Sequence, residues 1–209
     1  AGGDRQAVLD VCRAVIDDHR LQAHPEDLAS RWGDVYFAAI ESLDGQGFRL
    51  LRQIEGDTLI QTLRPLNAVV DVHPYLEQLN AYLARPALFD EVHEVLAGLR
   101  LPVCIVSNAD DLELHQALAH HGLRVAHVVS SQRARSYKPQ PAIFRKALEL
   151  TGWSPDRVLH VGDSLHSDVG GARNAGLKAA WVRRAVRIKD IGTQRPDYTW
   201  DDLRPLLTL

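Results

Sequence analysis

The order of apolar and polar positions splits the chain into two stretches with different periods. Up to about residue 85 the apolar residues recur at three- and four-residue spacing, which predicts one helix after another. Arg5 to His19 places Val8, Val11, Cys12, Val15 and Ile16 on one face of an amphipathic helix. Pro25-Glu26-Asp27 opens a second helix, running to about Leu43, with carboxylates in the first turn where the helix dipole favours them. Gly45-Gln46-Gly47 breaks it, and further helices are predicted from about Arg49 to Arg64 and from about Pro74 to Ala84. Near Arg85-Pro86 the period changes. Helices then alternate with short β-branched runs, the sign of βα units and a parallel sheet. Strands are predicted at Leu101 to Val106, Val125 to Val129, Val158 to Val161 and Ala179 to Val182, with a short edge strand at Tyr198-Thr199. Helices are predicted at Phe89 to Leu99, Asp111 to His121, Pro141 to Gly152, Val169 to Ala175 and Trp200 to Leu207. The expected fold is α/β, a doubly wound parallel sheet, with residues 1–85 as an all-helical domain and residues 86–209 as the α/β domain.

Composition narrows the class without naming a function. The 209 residues are 45% hydrophobic and 24% charged, ordinary values for a globular protein. A formal net charge of -3 gives no reason to expect nucleic acid or an anionic membrane as partner. The longest apolar runs are strand-sized, well short of a membrane span, and no signal-peptide core opens the chain. Cys12 and Cys104 fall in a predicted helix and a predicted buried strand, as reduced core residues do, so a cytoplasmic location is the default. The chain has no Met and begins Ala1-Gly-Gly-Asp4, which predicts that translation starts upstream of Ala1.

Chemistry concentrates at the carboxyl ends of the predicted strands. The run Val158 to Val161 ends in Gly162-Asp163, a second carboxylate follows at Asp168, and small residues come next at Gly170, Gly171, Ala172, Ala175 and Gly176. Open α/β sheets bind ligands at that end of their strands. Two carboxylates suit a hard cation such as Mg2+, and they equally suit a helix N-terminus. The strand Leu101 to Val106 runs into Ser107-Asn108, which with free helix N–H groups forms an anion cradle or simply caps the next helix. Lys138, in Tyr137-Lys-Pro-Gln-Pro141, is held extended by Pro139 ahead of a helix opened by Pro141. Such a lysine is either a charge aimed at a fixed point or a solvated surface residue.

The order of these motifs adds what each lacks singly. Ser107-Asn108 after one strand, Lys138-Pro-x-Pro141 before a helix, and Gly162-Asp163-Ser164-x-x-x-Asp168 after another strand follow at intervals of about 30 residues. The set resembles the haloacid dehalogenase-like superfamily of hydrolases, and within it the phosphatases with a helical cap. The motifs cover residues 86–209; residues 1–85 resemble the cap by helical character and position only. The resemblance implies a Rossmann-like core and a Mg2+-dependent phosphomonoester hydrolase acting on a small phosphorylated substrate through an aspartyl-phosphate. By the same resemblance Ser107, assisted by Asn108, binds the phosphoryl group and Lys138 neutralises it, with Ser107 and Lys138 as catalytic residues. Asp163 would ligate Mg2+, and Asp168 would do so directly or through water. Phosphoryl transfer needs such positioning and charge neutralisation. Two other readings stand beside this one: a metal-independent haloacid dehalogenase, whose branch carries Ser-x-Asn-x-x-Asp, and an inactive phosphate- or partner-binding module.

The family's nucleophile sits in an Asp-x-Asp-x-Thr motif on the first, central strand, and the motif does not occur in these residues. Asp10 stands nearest in position, but Cys12 occupies the place of the second Asp and the segment is helical in pattern. Because Arg5 to His19 resembles the first cap helix, the nucleophile is expected upstream of Ala1. Elsewhere, His160 reads as a packed residue of a buried strand, while His166, between the motif carboxylates, could face the site. Arg183, Arg184 and Arg187 read as a solvated turn or as contacts for an anionic substrate, and Trp32, Tyr36 and Phe37 as core in preference to substrate-facing.

Overall fold

The computed structural model describes residues 3–43, 45–184, 192 and 194–209. Its first part is helical: α1 (Asp4–His19), α2 (Pro25–Glu41), α3 (Leu51–Leu63) and α4 (His73–Leu83). The predicted stripe of α1 is the one that packs, with Val11, Cys12, Val15 and Ile16 meeting Leu28 and Trp32 of α2, Leu59 and Leu63 of α3 and Leu79 of α4. Trp32 is buried as expected and donates its indole N–H to Thr58 Oγ1 at 3.0 Å. Phe37, expected in the core, is half exposed.

The remainder alternates as its pattern predicts: α5 (Val92–Gly98), β1 (Cys104–Ser107), α6 (Asp111–His120), β2 (His127–Ser130), α7 (Ser131–Ala134) and α8 (Pro141–Thr151). Then come β3 (Leu159–Gly162), a π-helical turn (Leu165–Gly170) running into α9 (Gly171–Asn174), β4 (Lys178–Val182) and β5 (Tyr198–Trp200). The strands pair in parallel, so the fold is α/β. Among the described residues they form two ladders, β1–β2 and β3–β4–β5. Val129, Ile143, Phe144, Val169, Ala172 and Ala179 make the core beneath them. None of the described helices is long and apolar enough to cross a membrane.

Several boundaries differ from the pattern. Strand β1 begins at Cys104, past Pro102, whose ring nitrogen has no N–H for a ladder. The predicted terminal helix is instead the end of β5 plus a 3-10 turn, Arg204–Thr208, with Pro205 supplying no donor for an α-helical turn. Arg184 is not in a solvated turn. It pairs with Glu91 and lies over the Phe89 ring at 3.9 Å, clamping the end of β4 to the approach of α5. Arg183 is exposed and pairs with Asp201; Arg187 lies outside the described residues.

The two parts meet along one seam. Ile40, Leu51 and Ile54 of the helical part pack on Tyr137, whose ring stacks on Phe48 with centroids 5.2 Å apart. The Tyr137 hydroxyl donates to the Arg49 carbonyl at 2.7 Å.

Candidate active site

Lys138 is the node around which the site is built. Its Nζ donates to the Val106 carbonyl of β1 at 3.1 Å and to Asp168 Oδ1 at 2.6 Å, so one ammonium ties the end of β1 to the turn after β3. The same Asp168 oxygen faces His160 Nε2 at 3.0 Å, and Oδ2 accepts the Ser164 backbone N–H at 3.0 Å. A carboxylate only accepts, so Nε2 carries the proton in that contact. Burial by itself raises the Asp168 carboxyl; the Lys138 charge and then His160 outweigh it and hold the group well below the usual carboxylate range.

Local backbone explains how a carboxylate reaches that depth. A Cβ built on Gly162 would lie 2.2 Å from Asp168 Cγ and 2.3 Å from its Oδ2. Any side chain at 162 would displace Asp168. On β3 alternate residues share a face, so His160 and Gly162 address the same carboxylate together. His160 is therefore a partner of the site and not merely a packed strand residue, its ring edge-on to Phe144 at 5.0 Å.

Asn108 takes a different part from the one expected. Its Oδ1 accepts the Lys138 N–H at 2.7 Å and its Nδ2 donates to the Lys138 carbonyl at 3.0 Å, so the amide expected to help an anion is committed to holding the lysine's backbone. The expected set of free N–H groups is likewise reduced. Ala109 N–H donates to Ser131 Oγ and Asp111 N–H to Gln132 Oε1, both from α7, a turn the sequence pattern did not announce. Ser107 ends β1 in register with Ser130 of β2, and no protein group among the described residues engages its hydroxyl.

Asp163 follows β3 directly, and its carbonyl accepts the Trp181 indole N–H at 3.1 Å. The structure thus brings Lys138, Asp168 and Asn108 into one bonded unit, with Ser107 and Asp163 at the neighbouring strand ends. His166 points toward the helical part, with Nε2 2.8 Å from Glu41 Oε1 of α2. Asp10 sits on the exposed side of α1, held by Gln6 at 2.7 Å and Arg13 at 2.8 Å.

A cation can be tested against this donor set. Among the described residues no three His, Cys, Asp or Glu side chains converge as a metal site, and the Asp168 oxygens are already taken. Asp163 stands directly after β3, at the carboxyl end of that strand. Mg2+ is commonly held by one or two carboxylates together with waters and substrate phosphate oxygens, so the residues fit that ion when phosphate accompanies it.

Comparison with known proteins agrees with this architecture. The family model of haloacid dehalogenase-like hydrolases matches residues 6–176, and the chain belongs to that family. It is 36% identical over 128 residues to a phosphoserine phosphatase of Thermus thermophilus, a match covering 57% of this chain and 50% of that enzyme. The chain thus spans about half the length of that relative. It is 29% identical over 163 residues to an (S)-2-haloacid dehalogenase of a Pseudomonas species, covering 76% of this chain and 69% of that one. The L-2-haloacid dehalogenase of Xanthobacter autotrophicus superposes with a TM-score of 0.77 at 23% identity, over 97% of this chain and 92% of that one. Both phosphatases and dehalogenases are therefore relatives.

Proposed function

We propose that the protein is a Mg2+-dependent phosphomonoester hydrolase acting on a small phosphorylated metabolite through an aspartyl-phosphate. The observation that carries this reading is the Lys138 ammonium, fixed at the carboxyl ends of the strands beside Ser107 and the Asp163 turn. A cation held there neutralises phosphoryl oxygens as charge builds on them. Ser107 would donate its hydroxyl to one of those oxygens. Asn108 and Asp168 hold the lysine in place, so its orientation is set before substrate arrives. Asp163 would hold Mg2+, which supplies further charge neutralisation and orients the phosphoryl group when bound. Asp10, exposed and paired on α1, does not serve as the attacking carboxylate. Residues 1–85 would act as the cap, excluding water and choosing the substrate. The cytoplasm suits this reading, since Cys12 and Cys104 are both unpaired.

The dehalogenase reading is the second one, favoured by the similarity to haloacid dehalogenases and by the commitment of both Asp168 oxygens to protein donors. The motif Gly162-Asp163-Ser164-x-x-x-Asp168 weighs against it, because the halide-releasing branch carries Ser-x-Asn-x-x-Asp. Turnover of p-nitrophenyl phosphate and of 2-chloropropionate by the full-length gene product separates them. Mg2+-dependent phosphate release, lost in Asp163→Asn, is expected. Halide release without metal would establish the dehalogenase, and no turnover of either with phosphate still bound would point to an inactive binding module.

A further inference from the structure

The seam between the helical part and the α/β part holds acidic side chains that the catalytic reading does not use. Asp110, 3% exposed, follows the Ser107-Asn108 turn, and its carboxylate reaches across to the start of α3. Oδ1 accepts the Leu51 N–H at 2.9 Å; Oδ2 accepts the Arg52 N–H at 3.2 Å and Arg52 Nε at 3.4 Å. A core carboxylate thus caps a helix of the opposite part, satisfying donors that a helix start leaves open. One turn further along α3 lies Glu55, 6% exposed. From the other side comes Glu113 of α6, 9% exposed, whose Oε2 is buried with no hydrogen-bond partner among the described residues. An unpartnered buried carboxylate oxygen is costly, and here it adds to a seam already carrying Asp110.

The groups that face Glu55 come from every side. They are Asp110 and Glu113 from the α/β part, Tyr137 beside the seam, and Tyr36 on α2. Arg52 on its own helix is bonded to Asp110, and the Arg49 guanidinium pairs with Asp57. Burial first, then the charges of Asp110 and Glu113, push the Glu55 carboxyl up to about 7. The last two causes belong to the opposite part of the molecule and vanish if the seam opens.

We infer that Glu55, Asp110 and Glu113 form a proton-controlled latch: with Glu55 neutral the two parts seat against each other, and with Glu55 ionised they are driven apart. The direction follows from the shift. A carboxyl raised in the closed state disfavours closure once it ionises, so closure is undisturbed at acid pH and weakens as pH rises from the ordinary carboxylate range through about 7. Relief of one pKa unit by opening corresponds to about a tenfold change in the opening equilibrium. The latch does not rest on the phosphatase reading.

Hydrogen exchange of the full chain tests it, with rates corrected for the chemical pH dependence of exchange. The reporters are the Leu51 and Arg52 amides, which bond across the seam to Asp110. Between pH 5.5 and 8.5 their protection should fall about tenfold in the wild type. It should stay level in Glu55→Gln and fall less in Glu113→Gln, which keeps the test intact if the first variant folds poorly. Amides of Val11 and Val15, inside the helical core, should not change. Equal pH dependence in wild type and both variants, or parallel loss at Val11 and Val15, would overturn the proposal.

Discussion

Asp168 and Glu55 are buried to nearly the same extent, 4% and 6% exposed, yet their carboxyls move in opposite directions. Burial pushes both up. At the site Asp168 meets Lys138 and His160, and the two donors reverse the effect of burial. At the seam Glu55 meets Asp110 and Glu113, and like charge adds to it. Depth alone therefore says little about a buried carboxylate; the charge of its neighbours decides. Asp168 is a fixed carboxylate compensated by cations, whereas Glu55 sits where burial and like charge act in the same direction.

The most severe way to break the contrast is to remove the compensating cation. Lys138→Met should leave Asp168 as a buried charge supported only by His160 and the Ser164 backbone N–H, costing about 3 kcal/mol in urea unfolding at pH 7. A loss below about 1 kcal/mol would mean that the pair contributes little. The wild type should also carry a matching acid limb. Because the Asp168 carboxyl is depressed in the fold, its contribution is present above about pH 4 and is lost as pH falls below that, and Asp168→Asn should flatten the limb. Next in size, Gly162→Ala should displace Asp168 and cost about 2 kcal/mol, read as a lowered melting midpoint. Asn108→Ala removes two hydrogen bonds to the Lys138 backbone and should cost about 1.5 kcal/mol in the same measurement. The smallest effect has the opposite sign. Glu55→Gln should stabilise the protein by about 1 kcal/mol at pH 8 and by almost nothing at pH 4.5, seen as paired urea midpoints.

These two regions were unequally legible in the sequence. Ser107-Asn108, Lys138 and Asp163 through Asp168 stand out because strand ends, prolines and glycines mark them locally. The bonds joining Lys138 to Asn108 and to Asp168 agree with their grouping, each across 30 residues. His160 carried a weaker signal: it lies two residues before Gly162 on a strand, hence on the same face, which is enough to associate it with whatever Gly162 admits. Asp110 gave none. It looks like an ordinary start for α6, and its real partners at Leu51 and Arg52 lie 59 and 58 residues away. No local pattern encodes a cap supplied across a seam. Near the carboxyl terminus the edge strand at Tyr198-Thr199 was legible, but the helix expected from Trp200 to Leu207 is the end of β5 plus a 3-10 turn, because so few residues carry too little period to fix the helix type.

The catalytic reading depends on a phosphate and a cation meeting between Lys138 and Asp163, and calorimetric titration with inorganic phosphate addresses that directly. Phosphate should bind more tightly when Mg2+ is present, and Asp163→Asn should keep the metal-free affinity while losing the Mg2+ effect. Phosphate binding indifferent to Mg2+, or an Asp163→Asn variant that retains the full effect, would contradict the assignment of this site.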